Sequence, residues 1–115
     1  MDHLDSISEL IRLQFDARTV ARDQALSQAR ALTRFCSQAI RAVHRDDDET
    51  MQAQLSEARK MADSLRAAVS EFPDLYYAGY TQDALKEYVE ANVTCALIKN
   101  QALIGPKELG IEYNT

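Results

Sequence analysis

Forty consecutive residues, 5–44, contain neither glycine nor proline and read DSISELIRLQFDARTVARDQALSQARALTRFCSQAIRAVH. Asp5 or Ser6 can cap the start of a helix, because a short polar side chain accepts a hydrogen bond from the first free backbone N–H groups. At 1.5 Å per residue, a helix of this length would be about 60 Å long. The stretch therefore predicts one very long first helix that ends near His44.

Two shorter helices are predicted downstream of an acidic turn at residues 45–48, whose aspartates suit the positive end of the next helix. The second helix covers about residues 49–71 and is broken at Pro73, since the residue before a proline avoids the helical conformation. Its apolar positions follow each other at spacings of three and four: Met51, Leu55, Ala58, Ala62, Leu65 and Val69. The third helix covers about residues 81–103 and ends at Gly105-Pro106.

The composition supports a single all-α domain over residues 1–115, built as an antiparallel helical bundle. Three glycines and two prolines are too few for the frequent turns of a β sandwich or barrel. With 46% hydrophobic and 27% charged residues the chain is globular rather than disordered. No apolar run is long enough to span a membrane, and the acidic residues 1–5 do not form a secretory signal, so a cytoplasmic protein is expected.

The two cysteines, Cys36 and Cys95, lie far apart in the sequence and form no CxxC motif. We expect a buried, reduced pair rather than a disulfide or a zinc site.

The predicted helix lengths do not match. Helices of about 23 residues reach about 35 Å and can cover little more than half of the first helix. The uncovered end is nevertheless apolar, with Ile7, Leu10, Ile11, Leu13 and Phe15. Another subunit or a further stretch of chain is therefore expected to pack there.

Three carboxylates share one stripe of the third predicted helix. At about 100° per residue, Glu87 and Glu90 lie within about 40° of Asp83. Both flanks of the stripe are apolar, which favours a largely buried helix. Hard oxygen donors at these spacings suit a shared Mg²⁺ or Mn²⁺ ion, which can activate water and neutralise phosphate oxygens. Pairing with arginines of the first helix, exposure to solvent, or an ordinary Lys86–Glu90 pair is the alternative.

The net charge of −5 argues against a positive field over the whole surface, but it conceals a basic segment. Residues 17–45 contain six arginines and one aspartate, a local balance of +5. Four of the arginines fall within an arc of about 60°, with His44 beside them: Arg30, Arg34, Arg41 and Arg45. Such a face can bind the phosphates of a single strand, although a solvated or salt-bridged helix face would show the same pattern.

Two stretches resemble the translin family, in particular translin-associated factor X and its archaeal relatives. The first is residues 30–33, Arg-Ala-Leu-Thr, with residues 39–45, Ala-Ile-Arg-Ala-Val-His-Arg. The second is residues 85–91, Leu-Lys-Glu-Tyr-Val-Glu-Ala, followed by Ile98-Lys99 and Leu103-Ile104. The likeness covers about residues 18–112 and keeps the family's order and spacing.

The resemblance implies a helical bundle that assembles into a hollow, usually octameric barrel. It also implies binding of single-stranded RNA or DNA and a Mg²⁺-dependent endoribonuclease activity inside the shell. Glu87 and Glu90 match the family's metal ligands, and Asp83 is placed to support them. Arg41, His44 and Arg45 match basic residues that serve RNA binding.

One departure from the family concerns a later helix, which supplies a further aspartate and glutamate to the metal. The sequence stops at residues 110–115, Gly-Ile-Glu-Tyr-Asn-Thr, where that helix should begin. We therefore expect the N-terminal part of a longer bundle, inactive by itself, with a naturally short form as the alternative.

The sequence is compatible with three functions. The first is the metal-binding half of a translin-type ribonuclease. The second is a homo- or hetero-oligomer that holds single-stranded RNA or DNA without cutting it. The third is a helical interaction scaffold whose charges are all solvated.

Overall fold

The computed structural model describes residues 3–104, with side chains to residue 100, and every regular element in that range is a helix. The helices are α1 (His3–His44), α2 (Asp48–Val69), α3 (Pro73–Tyr76) and α4 (Gly79–Ile104). The predicted all-α class and the very long first helix are confirmed. The predicted end at Gly105-Pro106 lies outside the described residues.

The largest differences from the predicted boundaries lie between α2 and α4. α2 ends at Val69 instead of Glu71, and a single turn, α3, begins at Pro73, where a proline fits the first turn of a helix. α4 begins at Gly79 instead of Thr81. The Thr81 hydroxyl is buried and donates to the Leu75 carbonyl at 2.8 Å, which closes the α3–α4 corner.

The α1–α2 turn is held at both ends by aspartates. Asp46 has a φ of 59°, the left-handed conformation that ends many helices and that aspartate tolerates. Asp47 caps α2 by accepting a hydrogen bond from the Thr50 backbone N–H at 3.1 Å. This hydrogen bonding lowers the pKa of the Asp47 carboxyl.

The core lies along one face of α1, which packs against both α2 and α4, while α2 and α4 contact each other less. The buried positions of α1 are mostly small, which lets the helix axes approach closely: Ala21, Ala25, Ala29, Leu32, Cys36, Ala39, Ala42 and Val43. α2 contributes Met51, Ala58, Ala62, Leu65 and Val69, as its apolar spacing predicts, and Leu55 is partly buried. Both cysteines are buried and free, as expected.

The N-terminal third of α1 extends beyond this core. Every residue from 3 to 20 is exposed, including Phe15, whose exposed fraction is 67%. Arg18 marks the boundary, because its Nε donates to Asp74 Oδ2 at 3.0 Å and ties α1 to α3. The predicted mismatch of helix lengths is thus present in the structure. Among the helices of residues 3–104, none is apolar over a length that could cross a bilayer.

Replacing Leu65 by alanine is expected to lower the free energy of unfolding by about 2–5 kcal/mol, because the cavity left in the core would collapse only in part. Leu65 is fully buried between α2 and its neighbours. Leu97→Ala is the matched control, since Leu97 is more than half exposed and its loss should change stability by less than about 0.5 kcal/mol. Urea unfolding measures the free energy of unfolding of both variants. Equal losses would contradict the buried position of Leu65 and the exposed position of Leu97.

Candidate functional site

Glu87 and Glu90 line a groove of about 320 Å³ between α1 and α4. Three hydroxyl groups share its walls, from Thr33 and Ser37 on α1 and Thr94 on α4. Thr33 and Ser37 are one helical turn apart, as are Glu90 and Thr94, so each helix presents a short row of oxygen atoms to the other. Thr94 lies on the predicted stripe, whereas Thr33 and Ser37 are identified only by the structure.

Asp83 lies in a neighbouring cavity of about 430 Å³ instead of in the groove of the two glutamates. Arg30, Thr33 and Tyr80 line the same cavity, and Thr33 belongs to both. Across residues 3–104, no three histidine, cysteine, aspartate or glutamate side chains lie close enough to hold a metal ion. The structure therefore places Glu87 and Glu90 in one groove between α1 and α4. Asp83 lies in the next cavity along the same two helices.

The expectation that this helix is largely buried is wrong for one of its flanks. Ala84, Ala91 and Cys95 are buried against α1, but Val89, Val93 and Leu97 are more than half exposed. The reason is that α4 has one close neighbour, α1, and contacts α2 only weakly. All three carboxylates are accordingly exposed at the edge of the interface.

The charge partners of the carboxylates differ from one another. Glu90 makes the ordinary intrahelical pair with Lys86, at 3.9 Å. Asp83 and Glu87 have no lysine or arginine within 4 Å among the described side chains. Pairing with arginines of α1, one of the alternatives for this stripe, is thus absent from the described part of the chain.

A buried thiol lies under the groove. Burial, the nearby charge of Glu87 and the neighbouring Cys95 raise the pKa of Cys36 to about 11. Cys36 also lines the groove wall. It therefore stays a neutral thiol beside the carboxylates rather than serving as a thiolate ligand.

The predicted arginine face lies on the side of α1 away from the core. Arg30, Arg34 and Arg41 are exposed and have no acidic partner within 4 Å among the described side chains. Arg34 instead lies over the ring of Phe35, 5.6 Å from its centroid. His44 is exposed, and Arg45 makes a long pair with Asp47, at 3.5 Å. Within the basic segment, Arg18 donates a hydrogen bond to Asp74 and so helps to hold α3 against α1.

The tyrosines divide between surface and core. Tyr76 and Tyr77 are exposed and meet edge to face, with ring centroids 4.9 Å apart. Tyr80 and Tyr88 pack against the core. Tyr80 lines the cavity of Arg30 and Asp83, but its hydroxyl is buried and lacks a hydrogen-bond partner in the described part of the chain.

The residues of the groove fit Mg²⁺ to a limited extent. Mg²⁺ in proteins is often bound by one or two carboxylates together with waters and substrate phosphates, and Glu87 and Glu90 supply two such groups. A bound ion would supply charge neutralisation of phosphate oxygens and activation of water. The residues themselves offer two negative charges and three hydroxyl groups beside a basic helix face.

The chain matches no known family, no curated protein and no solved structure.

Proposed function

We propose that this chain is a single-stranded nucleic-acid-binding helical protein of the translin type, acting in an oligomer. The observation that carries the proposal is the unpaired arginine face of α1. Arg30, Arg34 and Arg41 are exposed and make no ion pair within 4 Å among the described side chains. Exposed guanidinium groups in a row along one helix suit phosphate oxygens, which they bind in a bidentate way.

The cavity beside Arg30 provides a second type of contact. Asp83 and Thr33 offer polar atoms there, and Tyr80 lines the same cavity. A nucleotide whose phosphate is bound by Arg30 could reach this cavity with its sugar hydroxyl groups. A single strand can turn one nucleotide out of the stack into such a cavity more readily than a duplex can, which favours a single strand as the ligand.

A Mg²⁺-dependent endoribonuclease is the second candidate function. The observation that favours it is that Glu87 and Glu90 share one groove, which lies next to the cavity containing Arg30. A strand bound along the arginine face would have its phosphates within reach of this groove. The two glutamates would hold the cation, and the arginines would orient the strand.

Binding to a labelled single-stranded RNA is expected to weaken steeply as salt rises. Each phosphate contact releases counterions, so the slope of log K against log [salt] is about −0.7 per contact. Three or four arginine contacts predict a slope between about −2 and −3. Fluorescence anisotropy at several salt concentrations measures it, with a duplex of the same sequence as competitor. No binding, or a slope near zero, would favour the scaffold function instead.

A further inference from the structure

The N-terminal arm of α1, residues 3–17, carries more exposed apolar surface than an isolated helix can keep in water. Its six large apolar side chains are between 40% and 71% exposed: Leu4, Ile7, Leu10, Ile11, Leu13 and Phe15. Single exposed hydrophobic residues are ordinary, but this many within fifteen residues mark an interaction surface.

The apolar face of the arm continues the face that the rest of α1 buries. Downstream, the buried positions 21, 25, 29, 32, 36, 39 and 43 follow each other at spacings of three and four. The same spacing, taken backwards from Ala21, passes the polar residues Arg18 and Gln14 and then reaches Ile11, Ile7 and Leu4. At about 100° per residue the two faces differ in direction by only about 30°.

The charged residues of the arm lie on the opposite side. Asp5, Glu9, Arg12 and Asp16 are centred about 150° from the arm's apolar face. A partner that covers the apolar face would therefore not bring these charges together. The arm is amphipathic, and its apolar side faces the space just beyond the end of α2.

Residues 105–115, even if fully extended from Ile104, are too few to cover the arm by themselves. α4 runs in the same direction as α1, since Asp83 lies near Arg30 while Lys99 pairs with Asp48 at the far end, 3.7 Å away. Ile104 is thus about 36 Å or more from Ala21, measured along α1. Eleven fully extended residues span at most about 40 Å and would reach only the base of the arm.

We propose that the arm binds the arm of a second copy of this chain, antiparallel and apolar face to apolar face. The uncovered space begins at Arg18, where Asp74 ties α1 to α3, and ends at the tip near Leu4. An antiparallel arm of the same length fills that space completely, and it does so for both copies at once. Such a self-complementary contact has a twofold axis, which falls near Ile11, midway between residues 4 and 18.

The pairing gives the residues of the arm's apolar face, Leu4, Ile7, Ile11 and Phe15, an apolar environment. Ile7 of one copy lies opposite Phe15 of the other, and the two Ile11 side chains lie near the axis. Leu4 reaches the α2–α3 corner of the second copy, where Tyr76 and Tyr77 are exposed. This proposal uses only contacts of α1 and its neighbours. A failure of nucleic-acid binding would therefore not affect it.

Sedimentation over a range of protein concentrations tests the pairing. The chain is expected to form a dimer, and Ile11→Glu is expected to weaken it by about a hundredfold or more, because two carboxylates would be brought into an apolar contact. Arg12→Glu is the matched control, since it places the same side chain one residue away on the polar face and should leave the dimer intact. Circular dichroism checks that both variants keep their helix content.

Cross-linking tests the direction of the pairing. With a short bis-maleimide, Ile11→Cys should cross-link to itself, whereas Leu4→Cys should not, since antiparallel arms place the two residues 4 about 20 Å apart. The unmodified chain should not react, because Cys36 and Cys95 are buried. A monomer at every concentration, a dimer unaffected by Ile11→Glu, or equal cross-linking at residues 4 and 11 would overturn the proposal.

Discussion

Replacing Glu87 by glutamine in the full-length protein is expected to lower Mg²⁺-dependent cleavage of single-stranded RNA by about a hundredfold or more and to leave RNA binding unchanged. Glutamine keeps the shape of the side chain but removes one of the two negative charges in the groove shared with Glu90. Changing groups that only support a metal ligand already costs about 10- to 100-fold, so losing a ligand should cost at least as much. The arginines of α1 are not changed by this substitution and keep their charge.

A metal-binding measurement makes this prediction independent of cleavage. Mn²⁺ titration followed by electron paramagnetic resonance should show at least about tenfold weaker binding for Glu87→Gln. Glu71→Gln, which neutralises an exposed carboxylate in the α2–α3 turn, is the matched control and should bind Mn²⁺ as the unmodified chain does. If Glu87→Gln retains full Mn²⁺ binding and full cleavage, the groove is not a metal site.

The long first helix could be predicted because it depends on local properties of the sequence. Forty residues without glycine or proline leave no place for a break, and α1 does run from His3 to His44. The apolar spacing in the second segment likewise identifies Met51, Leu65 and Val69 as core residues. The uncovered N-terminal end follows from helix lengths alone, since shorter helices cannot cover a longer one.

The burial of α4 could not be predicted, because periodicity does not show how many neighbours a helix has. Both flanks of its acidic stripe are apolar, yet only the flank of Ala84, Ala91 and Cys95 meets another helix. The left-handed conformation of Asp46 could not be predicted either, because glycine is the usual residue at such a position. Both differences arise from tertiary packing and backbone geometry that no local pattern encodes.

The candidate site was predicted in part. A helical wheel places Asp83, Glu87 and Glu90 on one stripe, but it contains no information about the opposing helix. Successive turns of α4 meet different residues of α1, so Asp83 lies beside Arg30 while the glutamates lie beside Thr33 and Ser37. The helical wheel shows which residues of α4 point in one direction. Only the packing of α4 against α1 shows that they lie in two different cavities.

Reversing the charge of Arg34 and Arg41 together is expected to weaken binding of single-stranded RNA by about a hundredfold or more at low salt. Each substitution removes a phosphate contact and places a carboxylate beside the strand, which repels it. Both residues are exposed and lack acidic partners among the described side chains, so the fold should lose little stability.

The most direct measurement is the salt dependence of RNA binding for this double variant beside a control that reverses Arg59 and Arg66, two exposed arginines of α2. If the arginine face of α1 binds phosphates, Arg34→Glu with Arg41→Glu should reduce the steepness of log K against log [salt] by about 1.4, while the α2 control changes it little. Equal losses of affinity and slope in both double variants would show that RNA binding depends only on the total charge of the chain. The assignment of α1 as the binding face would then be wrong.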